Sequence, residues 1–155
     1  MFAQLRENVE TIIDEITPLI VAKMNQSGAE IIDMNTEQLS KGQLDNGSLI
    51  TPDLANDEYA KLKKQTGGKA PKGTPDLKNT GDFYSAFYTK EDKEGLLISS
   101  SDEKTDKLEK KYSNIRSPKE GQIFGLNDEN KTKIANELTP EINEEITTIF
   151  LRGFA

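Results

Sequence analysis

Four carboxylates fall close together in the stretch SDEKTDKLE, at Asp102, Glu103, Asp106 and Glu109. A pair of such acids could hydrolyse a glycoside, and a group of them could wrap an oxygen-preferring cation. Lys104, Lys107, Lys110 and Lys111 interleave with them, however, and that mixture is the composition of a solvated charged turn. Asp45-Asn46-Gly47 lacks the ligand spacing of a calcium loop and reads as a turn. TGGKAP suggests a phosphate loop, but Lys63 stands where such a loop needs glycine, and Ala70 follows Lys69 where it needs Ser or Thr. The chain has no histidine and no cysteine, so the commonest general base, the commonest metal ligand and the thiol nucleophile are all missing. We therefore assign no catalytic, metal-binding or cofactor-binding residue, and the expectation is a protein that is not an enzyme.

The 155 residues suffice for a single domain with one modest core. Apolar residues make up 34% and charged residues 30%, so part of the chain is expected to be loop or to depend on partners. The start, MFAQLRENVE, has neither a basic leader nor an apolar segment, and nowhere do apolar residues run long enough to span a membrane. The expectation is a protein that is soluble and cytoplasmic when made, with no membrane partner.

Phe2, Leu5, Val9, Ile12, Ile13, Ile16, Leu19 and Ile20 recur at steps of three and four, which predicts an amphipathic helix over 2–24. Ile134, Leu138, Ile142, Ile146 and Phe150 predict a second over 128–151, with Asn127 as its cap and Asp128 and Glu129 in its first turn. Thr17-Pro18 and Thr139-Pro140 each look like a place where a helix kinks and restarts behind a threonine cap. EIIDMNTEQL favours a short helix, and Asn46-Gly47 a turn at positive φ. Strand-compatible runs occur only in the middle, over 84–91 and 95–101, with residues 83–88 also fitting a helical turn that runs into a strand. The fold class expected is α+β, two terminal helices on a small, mainly antiparallel sheet.

Charge is uneven. Residues 60–93 carry eight lysines against four acids, between two acidic segments. Three glycines and two prolines in Thr66–Pro75 predict a flexible basic loop at about 64–74. Its Lys64, Lys69 and Lys72 are candidate interface residues that could meet an acidic patch on a neighbouring copy.

Three segments in order carry a resemblance. They are YAKLKK, with Tyr59, Ala60 and Lys63; PDLKNTGDFYSAF, with Leu77, Thr80, Gly81, Phe83 and Phe87; and IFGLNDENK, with Ile123, Phe124, Gly125 and Leu126. Over about residues 30–150 this order resembles the phage virion-morphogenesis family of tail-completion and head-tail connector (neck) proteins. Ala86 departs from the family pattern, which has serine there; this chain has Ser85 one place earlier. The resemblance implies a structural virion protein that forms a homo-oligomeric ring in the neck or tail of a bacteriophage. Its partners would be itself, a portal or head-tail adaptor, and tail proteins, with nucleic acid met at most by lining a DNA channel. It would reside in the virion, and in the host cytoplasm during assembly. The other class left open is a small non-enzymatic binding or regulatory module of bacterial or mobile-element origin. Physically, Thr80 can cap a turn and Gly81 can take a backbone angle that other residues resist, so the chain can reverse just before Phe83 and Phe87 anchor it in the core.

Overall fold

A computed structural model describes residues 2–93, 95–113 and 121–153. Among them the chain forms six helices and two strands, an α+β fold. Helix α1 (Phe2–Gln26) is followed by α2 (Gly28–Ser40), α3 (Asp57–Gln65) and the single turn α4 (Asp82–Ser85). Strands β1 (Phe87–Glu91) and β2 (Leu96–Ser100) come next, then α5 (Thr105–Tyr112) and α6 (Asp128–Gly153). The two strands pair antiparallel from Phe87 opposite Ser100 to Glu91 opposite Leu96. The sheet is smaller than the sequence suggested, because residues 82–85 wind into α4 and the strand begins only at Phe87. Two strands alone are marginal in water, and here helices α1 and α2 cover them.

Two adjoining apolar clusters form the core. Leu39, Leu44, Ile50, Phe83, Phe87 and Ile123 make the first, and Ile31, Met34, Leu126, Ile134 and Leu138 the second. EIIDMNTEQL is helical, as its pattern indicated, and supplies residues to both. Asn127 caps α6, its Oδ1 accepting the Asn130 amide at 3.0 Å. The turn at Asn46 also forms, Gly47 standing at φ 78° and Asn46 Oδ1 accepting the Ser48 amide at 2.9 Å.

The two Thr-Pro sites do not restart a helix. Both α1 and α6 run unbroken through Pro18 and Pro140. Each proline lies on an exposed part of its helix, where water can satisfy the carbonyl that loses its partner. Thr139 does not cap either: its hydroxyl donates back to the Ala135 carbonyl at 2.5 Å.

Helices α1 and α6 lie side by side and antiparallel. Glu30 in α2 reaches Lys133, while Lys23 in α1 reaches Glu145 at 2.7 Å and Glu141 at 3.5 Å, so the chain stepping back into α1 tracks forward along α6. Burial along the pair is uneven. Val21 is buried near the sheet, but further out Ile12 alone is enclosed, while Phe2 (85% exposed), Leu5, Val9 and Ile13 face solvent, as do Phe150 and Leu151 of α6. The apolar stripe that marked α1 as a helix is thus only half used by the core.

Candidate functional site

The first two motif segments meet in one cleft. Helix α3 starts where Asn56 Oδ1 accepts the Tyr59 amide at 3.0 Å, and the four-residue step from Tyr59 to Lys63 sets the Lys63 amine 5.6 Å from the centre of the Tyr59 ring. From there the amine pairs with the Asp76 carboxylate and donates to the Lys78 carbonyl. Asp76 also accepts the Lys78 amide at 3.1 Å, and its carbonyl takes the hydroxyl of Tyr84. Asp76 is therefore the hub that ties α3 and α4 to the segment between them.

That segment is held in unusual backbone. Leu77, next to the hub, stands at φ 53°, which residues other than glycine rarely adopt. The ties on Asp76 hold it there. Thr80 Oγ1 donates to Asp82 Oδ2 at 2.6 Å, and Gly81 takes φ 100°. A methyl group at Gly81 would meet nothing within 4 Å, so it is the backbone angle and not lack of space that asks for glycine. The reversal delivers Phe83 into the core against Phe87, their ring centres 5.0 Å apart and edge to face. Ser85 donates its hydroxyl to the Asp82 carbonyl at 2.9 Å, and Ala86, which follows it, accepts the Ser101 amide at its carbonyl.

The cleft encloses about 290 Å³. Its lining is mixed: Leu54, Tyr59, Leu77 and Tyr112 give it apolar wall, and Lys63, Lys78 and Lys104 bring cations to it. Lys63 is neutralised by Asp76, whereas Lys78 and Lys104 are exposed and have no acidic partner among the described residues.

The third segment lies across the aromatic cluster, Phe124 touching Phe87 with ring centres 5.3 Å apart. Its carbonyls are gripped from α2. Asn35 Nδ2 donates to the Ile123 carbonyl at 3.1 Å and to the Gly125 carbonyl at 3.0 Å, and Gln38 Nε2 donates to the latter at 3.1 Å. Gln38 Oε1 then accepts the Asn127 amide at 2.8 Å. Gly125 stands at φ 137°, and a side chain there would press on Asp45. Leu126 completes the second core cluster and, with Phe124, borders an open apolar groove of about 670 Å³ between α1, α6 and β2. Glu109 sits at the edge of that groove, where burial first and Asp106 second push its carboxyl up. Within the rest of that acidic stretch, Asp102 spends one carboxylate oxygen on the Lys104 amide.

The basic loop is engaged within the chain. Lys69 pairs with Glu37 at 2.7 Å, Lys72 with Asp57 at 3.0 Å, and Lys64 donates to the Gly68 and Ala70 carbonyls. Lys69 holds the Glu37 carboxyl below its usual range, and Lys61 followed by Lys72 does the same for Asp57. Both acids have folded values below their unfolded ones, so what they contribute is present at neutral pH and is lost as pH falls through the lowered values. The pairs are exposed and correspondingly weak. Reversing Lys69 and Lys72 to glutamate together should move the midpoint of a denaturant melt only slightly.

Tyr84 supplies a pH test. Burial, followed by the charges of Asp76 and Glu37, drives its hydroxyl well above the ordinary tyrosine range. Because the folded value is raised, this group's stabilisation is full below pH ~10 and fades as pH climbs past the unfolded tyrosine value. Tyr84→Phe should lose about 1 kcal/mol at pH 7, for the missing bond to Asp76. It should also remove part of the fall in stability above pH ~10, as followed by denaturant melts at several pH values.

Asp76, Tyr84 and the Asn35–Gln38 clamp are what sequence reasoning did not assign. Asp76 had a local signal, an acid two residues before an amide it could accept. Asn35 and Gln38 had another, polar residues at the inner helical spacing of Ile31 and Met34. No family model matches the chain, and no curated protein or solved structure is significantly similar to it.

Proposed function

We propose that this chain is a structural subunit of a tailed bacteriophage, one copy of a ring in the neck or tail that completes the tail or joins it to the head, and that it performs no catalysis. The observation that carries the reading is the outer half of the α1–α6 pair. Phe2, Leu5, Val9 and Ile13 stand in solvent on one helix, and Leu151 on the other. A chain this polar does not keep such a stripe exposed without something to cover it, and contiguous exposed apolar surface marks an interaction site. Two further points support the reading. The residues that carry the family resemblance are built into the fold, forming one cleft and its supporting core. No helix among the described residues is long and apolar enough to cross a membrane, and the polar side of α1 is mainly acidic, which disfavours an anionic lipid surface.

In this reading the partners are other copies of the chain, a portal or head-tail adaptor, and tail proteins; DNA would be met only as the content of a channel. The protein would be found in the virion, passing through the host cytoplasm before assembly. Gold-labelled antibody against the chain, applied to purified virions and viewed by electron microscopy, should mark the neck or the tail end. Label confined to the soluble fraction of the lysate would instead favour a small regulatory or binding module that uses the same apolar helix.

A further inference from the structure

Resting on that reading, the geometry points to where the assembly grips this chain: we infer that the free edge of β2 takes a third strand, an extended, near-neutral, apolar segment of another protein of the neck or tail, laid in the groove between β2 and α6.

Two bonds at the ends of the hairpin fix which way the β2 backbone faces. The Asp92 amide donates to the Gly95 carbonyl at 2.9 Å, and the Ser101 amide to the Ala86 carbonyl at 3.0 Å. Hydrogen-bonded pairs alternate along an antiparallel ladder, so Leu97 and Ser99 turn their amides and carbonyls to β1, while Leu96 and Ile98 turn theirs away from it. On that side neither residue has a backbone partner among the described residues. Ser100 closes the open stretch, its carbonyl accepting the Thr105 hydroxyl at 3.1 Å. Exposed edges are ordinarily blunted by a charge, a proline or a bulge. The LLISS of β2 has none of the three, and its five pairs with β1 run without interruption.

The groove lies along that edge. Leu96, Leu97, Ile98 and Ser99 line one side, and Ile134, Leu138 and Ile142 of α6 line another. From Ile134 to Ile142 is about 12 Å of helix, which matches about four residues of strand. Lys131 and Glu109 are the only charged residues of the lining, one of each sign, so a near-neutral segment suits it and a charged helix face does not. An apolar small molecule or lipid chain would fill the groove but leave the outward amides and carbonyls of Leu96 and Ile98 unpaired and cut off from water; a strand pairs them. Two copies joined β2 to β2 would make an isologous contact, which closes at a dimer and builds no ring. The apolar residues of this chain's own loops are not spare either, since the amides of Leu44, Ile50 and Leu54 are bonded to the Ser48, Gly42 and Gly73 carbonyls. The third strand therefore comes from a different protein.

Hydrogen exchange of the full chain, read at single residues by mass spectrometry in purified protein and in assembled particles, tests this directly. The Leu96 and Ile98 amides should exchange fast in the free protein and at least tenfold more slowly in particles, with Leu97 and Ser99 protected in both. A pair of variants isolates the main-chain bond. Leu96→Pro removes an N–H that β1 does not use, at the first residue of the strand, where proline is tolerated; Leu96→Ala shortens the same side chain and keeps the N–H. Leu96→Pro should enter particles several-fold less well than Leu96→Ala. Equal incorporation of the two variants, or particles in which Leu96 and Ile98 exchange as fast as in the free chain, would overturn the third strand and leave the ring reading standing. Protection of both amides in concentrated purified protein alone would overturn it too, by assigning the edge to a second copy. Absence of the unmodified chain from particles would overturn the ring reading, and this inference with it.

Discussion

Phe83→Ala or Phe87→Ala should each destabilise the protein by about 3–5 kcal/mol, the usual cost of emptying a buried aromatic site. Both rings are buried, stand edge to face, and share Phe124 as a third partner. Removing either ring also releases the end of the α4 turn, since Phe83 lies inside it and Phe87 begins the strand that follows. The surrounding backbone cannot easily collapse into the hole, because Leu77 and Gly81 hold it at positive φ on one side and the clamp on residues 123–125 holds the other. Denaturant melts would read the loss directly. A change below 1 kcal/mol would mean that the rings are not the anchors of this core.

Asn35→Ala should cost nearly as much, about 3–5 kcal/mol, although it removes no apolar surface. Asn35 is fully buried, so alanine leaves the Ile123 carbonyl without a donor and the Gly125 N–H, which Asn35 Oδ1 accepts at 3.4 Å, without an acceptor, while Gln38 still serves the Gly125 carbonyl. Each such orphan costs about 1–3 kcal/mol. Gln38→Ala breaks the same clamp at the Gly125 carbonyl and the Asn127 amide, and should therefore fall short of additivity when combined with Asn35→Ala. The double-mutant cycle measures that shortfall. Full additivity would mean that the two amides act independently and that no shared clamp exists.

Much of the fold can be read along the chain because it is encoded locally. The helical stripes of α1 and α6, the Asn127 cap and the Thr80-Gly81 reversal depend on near neighbours, and the structure contains all of them. The aromatic anchors were equally legible, since few residues of this polar chain could fill a core. What escaped depends on distant partners. The clamp joins Asn35 to residues 88 and 90 positions away, and the hub at Asp76 takes its cation from α3. The two prolines misled because their position on the exposed side of each helix, which makes an unbroken course tolerable, is a tertiary fact. The pairing of the basic loop was hidden for a related reason. Its lysines are conspicuous in composition, yet Glu37 and Asp57, on α2 and α3, take up Lys69 and Lys72. That leaves the less conspicuous Lys78 and Lys104 as the unpaired cations beside the motif cleft.

The central claim, that this chain is a non-enzymatic ring subunit of a phage neck or tail, is tested most directly by deleting its gene in the phage and imaging the particles by electron microscopy. Filled or empty heads accompanied by detached or unfinished tails, restored to whole virions when the intact chain is supplied from a plasmid, is the result the account predicts. Structurally complete virions in normal yield, with a defect only in some intracellular activity, would contradict it.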